Sequence, residues 1–207
     1  MRRSALAVVG LAVAGGLTAY TIYPWYCRLS ATRGEHSEPL PGDSIVGASR
    51  SGYTLAVSIR AQPSEVWPWL VQMGQGRAGF YTHTWVENAI GADIHNADQI
   101  VADLQNLEVG DTVRLTPDPY RGRRGQYIVV ARLSPPRTLV FRQQLPNRST
   151  GTWAFVLRPS ASGTRLLFRR RGSQPSVFDR LFLPGYYFMD MGMLAGIKRR
   201  AERVRDI

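Results

Sequence analysis

The chain has 207 residues, 44% hydrophobic and 20% charged. That is enough for one domain with a sizeable core plus an appendage, and too apolar for wholesale disorder. A single cysteine, Cys27, excludes an internal disulfide and a clustered Cys/His zinc site, and the net charge of +11, with Lys198 as the only lysine, points to an anionic neighbour such as a bilayer surface.

Met1-Arg2-Arg3 precede an uncharged stretch from Ser4 to Tyr26. A helix needs about 20 residues to cross a bilayer, so this stretch is long enough. Tyr20, Tyr23, Trp25 and Tyr26 at its far end suit the headgroup boundary, and Pro24 ends the helix. We expect residues 1–30 to be an N-terminal anchor that makes this a single-pass membrane protein. A cleaved signal peptide, with Ala12-Val13-Ala14 at the cut, is the competing reading. Against it, the apolar run continues through Leu17, Tyr20 and Ile22. Residues 31–51, rich in Gly, Pro, Ser and charge, read as a linker with His36 in solvent. Residues 52–207 then form the domain.

Tyr53, Leu55, Val57 and Ile59 alternate with polar or small residues, the period of a half-buried strand. Pro63 and Glu65 suit the first turn of a helix whose apolar surface is Val66, Trp67, Trp69, Leu70 and Met73. A second helix is expected over 81–90, closed by Gly91. Five antiparallel strands follow, at 112–115, 126–133, 138–143, 152–158 and 164–171. Turn signals at Asp118-Pro119, Ser134-Pro135-Pro136, Pro146-Asn147 and Ser160 to Gly163 separate them. A long closing helix, capped by Ser176 and interrupted near Pro184-Gly185, carries a stripe of Phe182, Tyr186, Met189, Met193, Ile197 and Val204.

This order is α+β. It and several strings resemble the SRPBCC superfamily, which includes START-like lipid-transfer domains and polyketide cyclases. The strings are Val66 to Gly74, Ala78-Gly79-Phe80-Tyr81, Asp93 to Asp98, Val109-Gly110-Asp111 and Met193 to Ile197, and they look specific to a membrane-associated bacterial branch. The resemblance implies a helix-grip fold, a curved antiparallel sheet around a long C-terminal helix, here preceded by one N-terminal transmembrane helix. It also implies a cavity for an apolar or amphipathic small molecule, and a sixth strand after the first helices that the sequence leaves unassigned.

Reactive groups are few. Asp93-Ile94-His95-Asn96-Ala97-Asp98 is the densest polar constellation. Asp93 and His95 are the weak catalytic candidates, a carboxylate beside an imidazole at a pocket mouth. The bland alternative is a turn whose Asp and Asn side chains bond backbone amides, with His95 packed over it. His83 reads as a helix-surface residue. Gly74 to Gly79 matches G-x-G-x-x-G but follows a helix, not a strand, so no nucleotide site is expected, and no cofactor or metal either. The basic clusters Arg121 to Arg124, Arg169 to Arg171 and Lys198 to Arg205 read as solvated faces. Nothing resembles a zinc finger, an RNA-binding sheet signature or a basic zipper, so nucleic acid is not an expected partner.

Pocket lining is the stronger expectation. Tyr186, Met189 and Met193 share a helix face, with Trp153 and Phe168 facing them from the sheet and Trp85 and His95 completing the ligand-binding set. The same residue types fill an ordinary core, and the sequence leaves both readings open. The expected function is a membrane-tethered binding or transfer module for a hydrophobic, lipid-like small molecule. The alternatives are a polyketide cyclase-type enzyme using the same pocket and a non-binding interaction domain.

Overall fold

Alternating apolar residues build one antiparallel sheet in the computed structural model, which describes residues 31–47, 51–144, 150–172 and 177–203. Its strands are β1 (Ser51–Ile59), β2 (Thr112–Arg114), β3 (Tyr127–Ser134), β4 (Thr138–Gln144), β5 (Thr150–Ser160) and β6 (Gly163–Gly172), in spatial order β1-β6-β5-β4-β3-β2. The five strands expected after the first helices are all present, and no additional one stands among the described residues. An irregularity in the β3–β4 register between Val130 and Arg132 places an extra residue in β3, a bulge that bends the strand.

Four helices complete the described chain: α1 (Arg33–Ser37), α2 (Pro63–Val71), α3 (Thr84–Ala89) and α4 (Val177–Arg203). Pro63 opens α2 as expected, and Gln62 and Glu65 cap it reciprocally. Helix α3 is shorter than the expected 81–90, because Tyr81 takes a left-handed φ of 60° before it. Helix α4 is continuous through Pro184, contrary to the expected interruption. Pro184 and Gly185 are exposed there. Ser176, Val204 and the turn at Pro146-Asn147 lie outside the described residues, as does the side chain of Phe182.

Strand pleating sorts the sheet into two faces. Inward, the register aligns Tyr53, Arg170, Trp153 and Phe141 in one cross-strand row and Leu55, Phe168, Phe155 and Leu139 in the next. Met193, Leu194, Ile197 and Ala201 of α4 are buried in the same core as the apolar members of those rows. Each fully buried aliphatic or aromatic side chain contributes about 1.5 to 3 kcal/mol.

Outward, the sheet is covered by the segment expected to be a linker, which is instead a folded strap. Ala31 and Leu40 pack with Ala56, Val156 and Leu167 of the outer face. Thr32 and Glu35 form a capping box on α1, and Gly42 at φ 96° lies so close to Val140 that a Cβ there would meet it at 2.8 Å. Its composition suggested a linker, but its charges are partners. Arg165 holds Glu35 through two bonds of 2.8 Å, Arg158 holds Glu38 at 2.7 Å, and Arg169 and Arg171 both hold Asp43. Residues 1–30, the expected anchor, lie outside the described residues. Among the described residues no helix is long and apolar enough to cross a membrane.

Candidate functional site

The pleat directs Arg170 inward and its neighbours Arg169 and Arg171 outward, so the Arg169–Arg171 run is not the solvated face expected from sequence. Arg170 forks onto Asp190 of α4, with Nε to Oδ2 at 2.8 Å and Nη2 to Oδ1 at 2.7 Å. Tyr53 donates its hydroxyl to the same Oδ2 at 2.5 Å. Burial raises the Tyr53 hydroxyl well above its ordinary pKa; Arg170 pulls against this and Asp190 adds to it. It therefore stays a neutral phenol that can donate. Burial alone would lower the pKa of Arg170, but the Asp190 carboxylate more than offsets it.

Aromatic rings wall this ion pair. The Arg170 guanidinium lies 4.2 Å from the centre of the Trp153 ring, 5.4 Å from Tyr186 and 5.9 Å from Phe168. Contacts of this kind contribute about 0.5 to 2 kcal/mol each. Trp153 meets Phe168 and Phe80 edge to face, and Tyr53 meets Tyr187 likewise. Asp190 takes up the Nε and Nη2 of Arg170. The cluster combines apolar walls with an oriented donor, and Tyr186, 42% exposed, marks its open side.

Three of the expected ligand residues, Trp153, Phe168 and Tyr186, therefore meet around Arg170. Met193 is buried in the core, while Met189 is half-buried with its sulfur 3.9 Å from the Thr82 hydroxyl. Trp85 is 71% exposed on α3 and takes no part. His95 and Asp93 pair at 2.9 Å with side chains 81% and 66% exposed, so the pair sits in solvent and His95 is not packed over its turn.

The rest of the Asp93–Asp98 constellation is structural. Asn96 accepts from Tyr81 N at 2.7 Å and donates to Thr82 O at 3.1 Å. Asp98 pairs with the buried Arg200, whose guanidinium lies over the Tyr81 ring and also bonds Ala97 O. Arg200 thus leaves the basic tail expected to be solvated, and Lys198 likewise bonds Glu202 and Ser58 O. Gln72 donates to the Tyr81 hydroxyl at 2.9 Å. Gly196 lets α4 touch the chain at Tyr81, where a Cβ would stand 1.9 Å from its carbonyl oxygen. Four of the strings that carry the family resemblance converge on this knot.

Glu87 escaped the sequence reading, and His83, expected on a helix surface, is half-buried. Glu87 of α3 is buried, its Oε2 has no hydrogen-bond partner, and burial raises its pKa to about 7. Such a carboxyl is a proton donor near neutral pH. His83 lies one turn earlier on the same face, stacked on Phe188 at 4.5 Å, with its pKa lowered by burial and then by Arg199. Burial of a lone Glu in so short a helix leaves no periodic signal. A cavity of about 380 Å³ lies between the strap and the β1–β6 edge, lined by His36, Glu38, Asp43, Gly52, Arg169 and Arg171 among others. It is polar, unlike the cavity expected between sheet and helix.

No family model and no curated protein matches the sequence. Among solved structures, a Rhodobacter sphaeroides protein is 14% identical over 74% of this chain and 93% of its own, with a TM-score of 0.51. The di-domain ARO/CYC StfQ from the steffimycin biosynthetic pathway is 15% identical over 75% of this chain and 52% of its own, also with a TM-score of 0.51. With the observed sheet order and closing helix, these likenesses establish that the chain has the helix-grip fold.

Proposed function

We propose that the domain binds a hydrophobic or amphipathic, lipid-like small molecule between the inner face of the sheet and the first half of α4, and that residues 1–30 tether it to the membrane where it works. The observation that supports this most is the Arg170 cluster, a buried Arg170–Asp190 pair walled by Trp153, Phe168 and the exposed Tyr186 at one end of a packed core. The cyclase alternative draws on the likeness to StfQ, but its acid–base pair, Asp93 and His95, stands in solvent and offers no enclosed chemistry.

The test is mass spectrometry of small molecules that copurify with the full chain from its native host. An amphipathic lipid-like compound is expected, and Trp153→Ala should lose it. An aromatic polyketide product would favour the cyclase, and an empty protein would overturn binding. The tether has its own test. The full chain should pellet with membranes, and arginines in place of Val9 and Leu11 should release it, since each costs about 2.5 to 3.5 kcal/mol at the centre of a spanning helix. A mature N-terminus near Gly15 would sink the anchor.

A further inference from the structure

The register places the loop 115–126, which joins Arg114 of β2 to Tyr127 of β3, at the same end of the sheet as Ser51, Gln144 and Gly172. This is also the end to which the Tyr53–Arg170–Trp153 row belongs. Helix α3 is fastened there, because Tyr120 Oη and Arg121 Nη2 donate to Ile90 O at 2.7 and 2.9 Å. The result is a tip with two unusual properties.

First, it is apolar where water reaches it. Trp85 and Ile90 are 71% and 51% exposed, and Tyr120 is tied to Ile90 through the backbone carbonyl of Ile90. Second, it is cationic. Arg121, Arg123 and Arg124 are exposed, and among the described residues none of them pairs with a carboxylate. By contrast Arg158, Arg165, Arg169 and Arg171, which hold the strap, and Arg170 of the inner cluster all pair with carboxylates. Asp118, the acidic side chain of this loop, is engaged by Gly125 N at 3.2 Å. An exposed Trp on a helix that the arginine-bearing loop holds is the composition of a surface that meets headgroups: the ring enters the interface and the cations meet lipid phosphates.

We propose that this tip, Trp85 and Ile90 with Arg121, Arg123 and Arg124, docks on an anionic bilayer surface and so sets the open end of the grip against the lipid. The occupant is an anionic bilayer, because three exposed arginines without a carboxylate partner among the described residues match lipid phosphates, and an exposed Trp on α3 and Ile at its C-cap match the interface they border. The inference deepens the membrane reading above and can fail separately from it.

The full chain is mixed with vesicles of phosphatidylcholine alone or with phosphatidylglycerol, each carrying brominated acyl chains, and tryptophan quenching is compared with that of Trp85→Phe. Subtracting the variant removes the contributions of the other tryptophans, Trp25 included. The expected result is a Trp85-dependent quenching that needs phosphatidylglycerol and fades in high salt. Replacing Arg121, Arg123 and Arg124 together by Ser should weaken that contact roughly a hundredfold, at about tenfold or less per charge. If the chain pellets with both kinds of vesicle but Trp85→Phe changes no quenching, the docking surface is overturned and the tether stands. If the chain stays in solution with phosphatidylcholine yet shows the Trp85 signal with phosphatidylglycerol, the tether fails and the surface stands. Loss of binding to a DNA duplex in the triple variant, without any vesicle signal in the parent, would assign the patch to nucleic acid and overturn the proposal.

Discussion

Arg169→Met is expected to lower the unfolding free energy by about 3 to 5 kcal/mol, the range for removing one partner of a buried charge pair. The side chain is 1% exposed, and every nitrogen of its guanidinium is engaged. Nε donates to Thr54 Oγ1 at 2.9 Å, Nη1 to Glu38 O at 2.8 Å and Asp43 Oδ2 at 2.7 Å, and Nη2 to Glu35 O at 2.7 Å and His36 O at 3.1 Å. Methionine fills part of the volume but donates nothing. Three strap carbonyls and a carboxylate would then lose a donor. Arg165→Met is the control: its side chain is 22% exposed and its pair with Glu35 is nearer solvent, so about 1 kcal/mol is expected. Denaturant unfolding at neutral pH measures both, and limited proteolysis within 31–47 reports whether the strap has lifted. Equal midpoints for Arg169→Met and the parent would mean that the strap is not part of the cooperative unit.

That strap is also the clearest case of structure illegible in the sequence. Residues 31–47 contain Gly, Pro, Ser and charge because they fold as a turn-rich cover whose stability comes from partners on β5 and β6. Nothing local distinguishes such a segment from a linker, since the information lies in arginines more than a hundred residues away. Strands were legible for the opposite reason. Their period-two alternation is local, and Tyr53 to Ile59 or Trp153 to Leu157 state their inner faces directly. The Arg169–Arg171 run shows the limit of composition: three adjacent cations look like one patch, yet pleating sends the middle one to Asp190 and its neighbours to the strap. Trp153, Phe168 and Tyr186 were readable as a set because strand and helix periods put each on an inner face. Trp85 was not, because a six-residue helix has too few turns to define one. The family strings were the most specific signal, and Gln72, Tyr81, Asn96, Asp98, Gly196 and Arg200 explain why: they tie α2, the chain before α3 and α4 together, a fold constraint that says nothing about the ligand.

Glu87→Gln is expected to stabilise the protein at pH 8 and to leave it unchanged at pH 4. The carboxyl is raised to about 7 in the folded state by burial, from an ordinary value of 4.5. Below pH 4.5 both folded and unfolded chains hold the proton, and ionisation costs the fold nothing. Between 4.5 and 7 the unfolded chain releases it while the folded chain keeps it, so stability declines as pH rises. Above 7 both are ionised and the loss is complete, at about 3 kcal/mol for a shift of this size. Glutamine cannot ionise, so the difference between variant and parent should open across that window, reaching about 2 to 3 kcal/mol less the cost of burying an amide. Glu35 acts in the opposite sense. Its bond from Arg165 lowers its pKa to about 2, so it adds stability above 4.5 that is lost as pH falls towards 2. Because Glu35 is the same in both proteins, it cancels in the difference. Urea unfolding of parent and Glu87→Gln at pH 4, 6 and 8 decides the matter, and a difference that is flat with pH would show that Glu87 is solvated in the folded protein. The same variant tests whether this buried carboxyl takes part in binding. If Glu87→Gln gains stability but releases the copurifying molecule, the carboxyl belongs to the binding site; if it gains stability and keeps the molecule, the carboxyl lies outside it.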